Sequence, residues 1–349
     1  MKIEESRMML AVADIESVQK ACSAAVGEFM DPARQRANVV GMGVGVKWKN
    51  GQPTGEPALV VLVTHKVAKE QVSAADMVPP KLADMQTDVL AIGYPVAGGG
   101  ESFETGVQTL AKRIRPAKGG YSVGHVKITA GTIATCVYDI LPGGSTNPPV
   151  HGVGIPPRYY ILSNNHVLAN SNAAALGDSI LQPGPYDGGT DPADRIATLS
   201  RFIPITFEPP VPRAQHRNLV DAAIAEGQFH DLDREIHWIG HMRGWRRKAN
   251  VTVGTVVQKT GRTTNYTTGR ITAINATIDV GYGGGKVARF IDQIVTTNIS
   301  AGGDSGSLVS TLDELVVGLL FAGSSIATIV NQIENVRSLL RVEVAERIL

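Results

Sequence analysis

Cysteine is nearly absent from this sequence: Cys22 and Cys136 are the only two in 349 residues. A disulfide framework is therefore excluded as the source of stability, and the usage fits a reducing, cytoplasmic setting. Neither cysteine sits in a CxxC pair or beside a histidine, so each reads as a small buried hydrophobe. Charge of one sign is also missing. A formal net charge of +1 gives no general attraction to nucleic acid or to an anionic membrane. Long apolar runs are lacking too: residues 8–13 are too short for a signal-peptide core, and no stretch approaches the roughly 18 apolar residues of a membrane helix. Metal-binding patterns are weak. His237 and His241 are four apart, near His230, Asp231 and Asp233. No glutamate adjoins the first histidine, however, and Gly240 weakens the helix that such spacing requires. No metal is expected. His65, His125, His151 and His216 have no partner pattern and read as surface or hydrogen-bonded core residues.

What the sequence does have is glycine, 38 residues of it, between short β-branched runs, which reads as many short strands joined by turns. At 349 residues the chain can bury a sizeable core and holds a large unit plus a smaller one. Ile15, Val18, Cys22, Val26 and Phe29 repeat at helical spacing with Asp14 near the start, which predicts one amphipathic helix. Residues 39–48 and 58–64 predict a hairpin around Asn50-Gly51, and residues 87–92 another strand. These define a small α/β module over residues 1–95. A linker spans 96–119, opening with Val96-Ala97-Gly98-Gly99-Gly100, and residues 120–349 form the main domain. Within that domain Pro142-Gly143-Gly144-Ser145 is read as a turn, and Ile333, Val336, Leu340 and Val344 mark a C-terminal amphipathic helix.

Two glycine runs lack the spacing of nucleotide loops. Gly41-Met42-Gly43-Val44-Gly45-Val46 has no helix directly after it, and Gly281-Tyr282-Gly283-Gly284-Gly285-Lys286 has neither the first-glycine spacing nor a following Ser or Thr. The second is read as a mobile loop near a substrate cleft. The cationic run Arg243-Gly244-Trp245-Arg246-Arg247-Lys248 is read as a solvated loop rather than as a base-stacking surface.

Three short segments carry chemistry. Gly302-Gly303-Asp304-Ser305-Gly306-Ser307 places a serine on a glycine-walled turn, where the Gly303 and Ser305 amides can converge on a developing oxyanion. Ile161-Leu162-Ser163-Asn164-Asn165-His166 sets a histidine at the end of a strand-like run. Asn218-Leu219-Val220-Asp221-Ala222-Ala223-Ile224-Ala225 buries one aspartate in another. A carboxylate there needs a partner, and an imidazole N–H is a natural one, fixing the tautomer of a base that takes the proton from Ser305.

The order His166, Asp221, Ser305 is that of the chymotrypsin-like (trypsin-like) serine peptidases, and the chain resembles that family from about residue 120 onward. Lys259-Thr260-Gly261-Arg262-Thr263-Thr264 with Thr267-Thr268-Gly269 resembles the opening hairpin of the second barrel in bacterial members. Val316-Val317-Gly318-Leu319-Leu320-Phe321-Ala322-Gly323-Ser324 resembles the strand that pairs with the substrate backbone. Asn164-Asn165 stands in place of the more usual Ala-Ala, and Ser307 in place of a glycine. These departures recur in bacterial intracellular-looking relatives and in the plant narrow-leaf protein, which the chain also resembles.

The resemblance implies a mainly β, chymotrypsin-like double barrel with a C-terminal helix, the cleft lying between the barrels. It implies a serine endopeptidase that needs no cofactor and takes a protein or peptide substrate. The principal specificity position falls on Ile299, with Ala322, Gly323 and Ser324 opposite, which predicts small or medium apolar residues before the scissile bond. Related secreted enzymes are activated by a cleavage that frees an amine to pair with the Asp before the nucleophile. No such cleavage sequence precedes Val123 here, so Asp304 is expected to be satisfied otherwise. Control by self-association or by a regulatory partner of the N-terminal module is a further expectation. Competing readings are a catalytically weak binding or scaffold protein, and an esterase or acyl transferase using the same serine.

Overall fold

The computed structural model describes residues 8–34, 36–98, 109–128, 130–140 and 158–344. The predicted turn at 142–145, His151, residues 1–7 and residues 99–108 of the expected linker lie outside the described residues.

The chain is mainly β, and its ladders close into two barrels. In the C-terminal one, Val256–Gly261 pairs with Asn265–Gly281, which pairs with Val287–Thr297, then Ala327–Gln332, Leu315–Gly323 and Leu308–Thr311. That last strand returns to Val256–Gly261 through Val257 opposite Thr311. In the N-terminal one, Ser122–His125 pairs with Ser179–Leu181, followed by Arg195–Phe202, Ala223–Gly227, Tyr159–Ser163 and Cys136–Asp139. Gly131–Thr132, just before Cys136–Asp139, pairs back onto Ser122–His125, and the Ala134 amide donates to the Leu162 carbonyl at 2.9 Å. Closing a sheet removes its edges and fills the interior with alternate side chains.

The N-terminal segment adds to this body. Helix Val12–Phe29 buries Ile15, Val18, Cys22 and Phe29 on the hairpin Val39–Lys49 and Gln52–Val63. Asn50 and Gly51 both have positive φ, 52° and 76°, as a tight hairpin turn needs. Met85–Ala91 runs parallel to Gln52–Val63, and Val39–Lys49 pairs antiparallel with the long Asn265–Gly281 strand, so hairpin and C-terminal barrel share one continuous sheet. This pairing explains the alternating glycines of residues 41–45. A Cβ on Gly41 would lie 2.7 Å from the Thr277 carbonyl oxygen.

Several local expectations change. Val96–Ala97, read as the start of a linker, is a strand held on two sides. The C-terminal helix is Ile333–Leu340, and Arg341 ends it in the left-handed region at φ 56°. Val344 then lies in a strand, Val342–Val344, against Cys136–Asp139. Arg337 of that helix is fully buried, stacked on Trp245 at 3.8 Å and ion-paired with Glu343. Trp245 is thus a core residue, while Arg246 and Lys248 face Asp313 and Asp292. The helix that His237 and His241 would need does not form: Trp238 turns the chain at φ 68°, and His237 packs edge-on against Tyr121. Cys22 and Cys136 are buried free thiols, and burial pushes both up to about 12. Among the described residues no helix is long and apolar enough to cross a membrane.

Candidate active site

His166 stands in the short helix Asn165–Leu168 directly after strand Tyr159–Ser163, and Asp221 lies just before strand Ala223–Gly227. These strands are neighbours, Ser163 opposite Ala223, and that register brings the two side chains together. His166 Nδ1 lies 2.6 Å from Asp221 Oδ2, and the His166 amide donates to Asp221 Oδ1 at 3.1 Å. A carboxylate facing Nδ1 places the proton on that nitrogen and leaves Nε2 with its lone pair. His166 Nε2 is buried and has no hydrogen-bond partner among the described residues.

Asp221 is fully buried, and its surroundings answer the cost of burying a carboxylate. Its Oδ2 also accepts the Tyr282 hydroxyl at 2.6 Å. Burial, followed by the neighbouring Asp221 charge, raises the Tyr282 phenol well above its ordinary value, so it stays a donor. The Asp221 amide donates to Asn331 Oδ1 at 3.0 Å, and the Asp221 carbonyl accepts Asn164 Nδ2 at 2.8 Å. Asn165 braces the other side, its Nδ2 donating to Asn172 Oδ1 and the Ile203 carbonyl at 2.7 and 2.8 Å. The two asparagines before the histidine are therefore structural ties that alanine could not make. Tyr282 and Asn331 are the residues that the sequence reading missed. The tyrosine sits in a glycine-rich stretch read as a mobile loop, and only its aromatic character hinted at an anchor.

Ser305 comes from the C-terminal barrel, on the turn between Val287–Thr297 and Leu308–Thr311. The turn docks across the cleft: the Thr132 amide donates to the Ser305 carbonyl at 2.7 Å, and Thr132 Oγ1 to the Gly303 carbonyl at 2.9 Å. Gly303 and Gly306 adopt φ of 93° and 97°, so the two glycines flank the serine in a left-handed conformation. Among the described residues neither the Gly303 nor the Ser305 amide has a hydrogen-bond acceptor, whereas the Asp304, Gly306 and Ser307 amides do. Ser305 Oγ faces the Phe321 carbonyl at 3.5 Å.

Asp304 turns away from the cleft. Its Oδ1 accepts the Thr263 and Thr264 amides at 2.8 and 3.1 Å, and its Oδ2 accepts Thr264 Oγ1 at 2.6 Å, the Ala301 amide at 3.0 Å and Lys259 Nζ at 3.2 Å. Burial pushes the Lys259 ammonium below its ordinary value, and the Asp304 charge opposes that shift. Ser307, in place of a glycine, donates Oγ to the Asp304 carbonyl at 2.6 Å.

Beside Ser305 lies a cavity of about 10 Å³ lined by Ser300, Ala301, Ala322, Gly323, Ser324 and Val96, among others. Ala322, Gly323 and Ser324, expected to wall the specificity pocket, are among these lining residues. Ile299 is not among the lining residues. It is buried in the apolar core with Val257, Ile271 and Val317, and a Cβ on Gly269 would overlap its side chain. An isoleucine at the barrel end gains more from that core than from a polar-rimmed slot.

No family model matches the chain, and no curated protein matches it in sequence. Solved structures do resemble it. Thermobifida fusca protease A is 14% identical, with 66% of this chain and 98% of that one covered at a TM-score of 0.44. The Nocardiopsis protease is 15% identical, with 65% and 97% covered at 0.43. A glutamic-acid-specific serine protease with a histidine triad in substrate binding is 19% identical, with 66% and 100% covered at 0.42. Each is similar to this chain at an identity too low to carry a function across.

Proposed function

We propose that the protein is a serine endopeptidase in which Ser305 attacks the peptide carbonyl and His166 takes and returns the proton. Asp221 holds the imidazole, and the Gly303 and Ser305 amides receive the oxyanion. Water then releases the acyl group, and the chemistry calls for no cofactor. The observation that carries this reading is His166: Nδ1 is fixed 2.6 Å from a fully buried carboxylate while Nε2 is left buried and unpartnered among the described residues, and the Ser305 turn docks on the same barrel through Thr132.

The small side chains of Ser300 and Ala301 and the bare Gly323 beside Ser305 favour small or medium apolar residues before the scissile bond. Residues 120–349 would form the peptidase unit, with residues 1–95 an addition that receives a partner or a second copy. The kinship to intracellular bacterial members and to the plant narrow-leaf protein, and a cytoplasmic setting, belong to the same proposal.

Fluorophosphonate labelling followed by intact mass tests it. One adduct, lost in Ser305→Ala and in His166→Ala, is expected; no adduct in the folded protein overturns the reading.

A further inference from the structure

The edge of the Leu315–Gly323 strand is not bare. Val96–Ala97 lies along it antiparallel, with Ala97 opposite Ala322 and Val96 opposite Gly323. On its other side the same segment meets Gly281, whose amide donates to the Pro95 carbonyl at 3.0 Å. Val96 also helps line the cavity beside Ser305. One residue on, a Cβ built at Gly98 would sit 3.6 Å from both Cδ2 and Nε2 of His166. A stretch of this chain therefore runs along the strand edge past Ser305 and reaches His166.

We infer that Val96, Ala97 and Gly98 form an autoinhibitory strap, which fills the strand edge that a peptide substrate needs and must leave before substrate enters. The inference rests on the peptidase reading above. Strand addition to an open edge is how extended peptides gain main-chain hydrogen bonds, and an edge already paired has none to offer. Two features make the segment a blocker rather than a substrate. Gly98 has φ +67°, which turns the chain out of the extended form at the residue beside His166. With the segment in place, Ser305 Oγ faces the Phe321 carbonyl and His166 Nε2 has no partner among the described residues, so nucleophile and base are not engaged.

The strap is also wired to the N-terminal segment. Just upstream, the Ile92 amide donates to the Val63 carbonyl at 2.8 Å and the Gly93 amide to the Thr64 carbonyl at 3.1 Å, while Ser324 Oγ donates to the Ile92 carbonyl. Whatever shifts the end of the Gln52–Val63 strand shifts the strap. A tethered segment competes at an effective concentration on the order of millimolar, so it raises the apparent KM of any peptide by the reciprocal of the open fraction.

Val96→Asp places a charge against the small cavity and weakens the strap without altering His166, Asp221, Ser305 or the Gly303 amide. The expected result is a rise of about tenfold or more in kcat/KM on fluorescein-labelled casein, with unchanged melting temperature and retained fluorophosphonate labelling. As a second arm, Ala97→Cys with Ala322→Cys links strap and edge when oxidised. Casein hydrolysis should fall about tenfold or more on oxidation and recover with reductant. Labelling without faster casein hydrolysis in Val96→Asp, together with equal activity of the oxidised and reduced pair, overturns the strap and leaves the peptidase reading standing. A folded Val96→Asp protein that neither labels nor hydrolyses overturns both. If Val96→Asp does not fold, the oxidised and reduced pair decides.

Discussion

Lys259 Nζ lies 3.2 Å from Asp304 Oδ2, and both side chains are fully buried. All three ammonium protons are used, the others going to Thr264 Oγ1 and the Asn265 carbonyl. The residue before Ser305 is thus held by a cation from the chain's own Val256–Gly261 strand, so the serine turn is assembled without a freed terminal amine. Asp304 is satisfied within the fold, as the missing cleavage sequence led us to expect.

Removing that cation leaves a buried carboxylate uncompensated. Lys259→Ala should lose about 3–5 kcal/mol of stability, read from urea unfolding. Fluorophosphonate labelling of Ser305 should fall with it. A loss below about 1 kcal/mol would mean that the surrounding amides suffice to hold Asp304.

Asp221 and Tyr282 separate orientation from mere burial. Asp221→Asn offers His166 Nδ1 the wrong partner, and kcat/KM should drop about 10⁴-fold while the fold persists. Tyr282→Phe removes one of the hydrogen bonds to Asp221 and should slow labelling about three- to tenfold, near 1 kcal/mol, with little change in melting temperature. An unchanged labelling rate would make the tyrosine a packing residue only.

Gly306 is tested by one methyl group. Its φ of 97° disfavours any side chain, and a Cβ there would overlap Ser163 Oγ and the Thr132 carbonyl oxygen to which that hydroxyl donates. Gly306→Ala should cost about 1–3 kcal/mol or more in thermal unfolding and abolish labelling. Gly51→Ala is the control: its φ is also positive, at 76°, but nothing lies within 4 Å of the added carbon. Labelling there should be unaffected.

Acid stability follows from four aspartates held below their ordinary value of 3.8. These are Asp76 through Ser73, Asp178 through His125, Asp194 through the Thr190 amide and Asp313 through Thr311. Each is more acidic folded than unfolded, so between the two values the unfolded chain binds more protons. The contribution is complete above about pH 4 and is lost as pH falls through the folded values. Melting temperatures taken from about pH 5 to about pH 2.5 should fall, and Asp178→Asn should flatten that slope; a slope equal to that of the unaltered protein would remove Asp178 from the account.

The sequence by itself determined the strands, the hairpin at Asn50-Gly51, the amphipathic face of Val12–Phe29 and the chemical character of His166, Asp221 and Ser305. Those features depend on local periodicity, backbone restriction and side-chain chemistry, all of which are written residue by residue. Tertiary structure alone decided which groups meet. Tyr282 reaches Asp221 across 61 positions, Lys259 reaches Asp304 across 45, and Asn331 reaches Asp221 across 110. It also moved Ile299 into the core and laid Val96–Ala97 on the strand beside Ser305, where composition had read a linker. Such partners are set by barrel closure and strand register, which sum many weak contacts over the whole chain and leave no mark in any one segment.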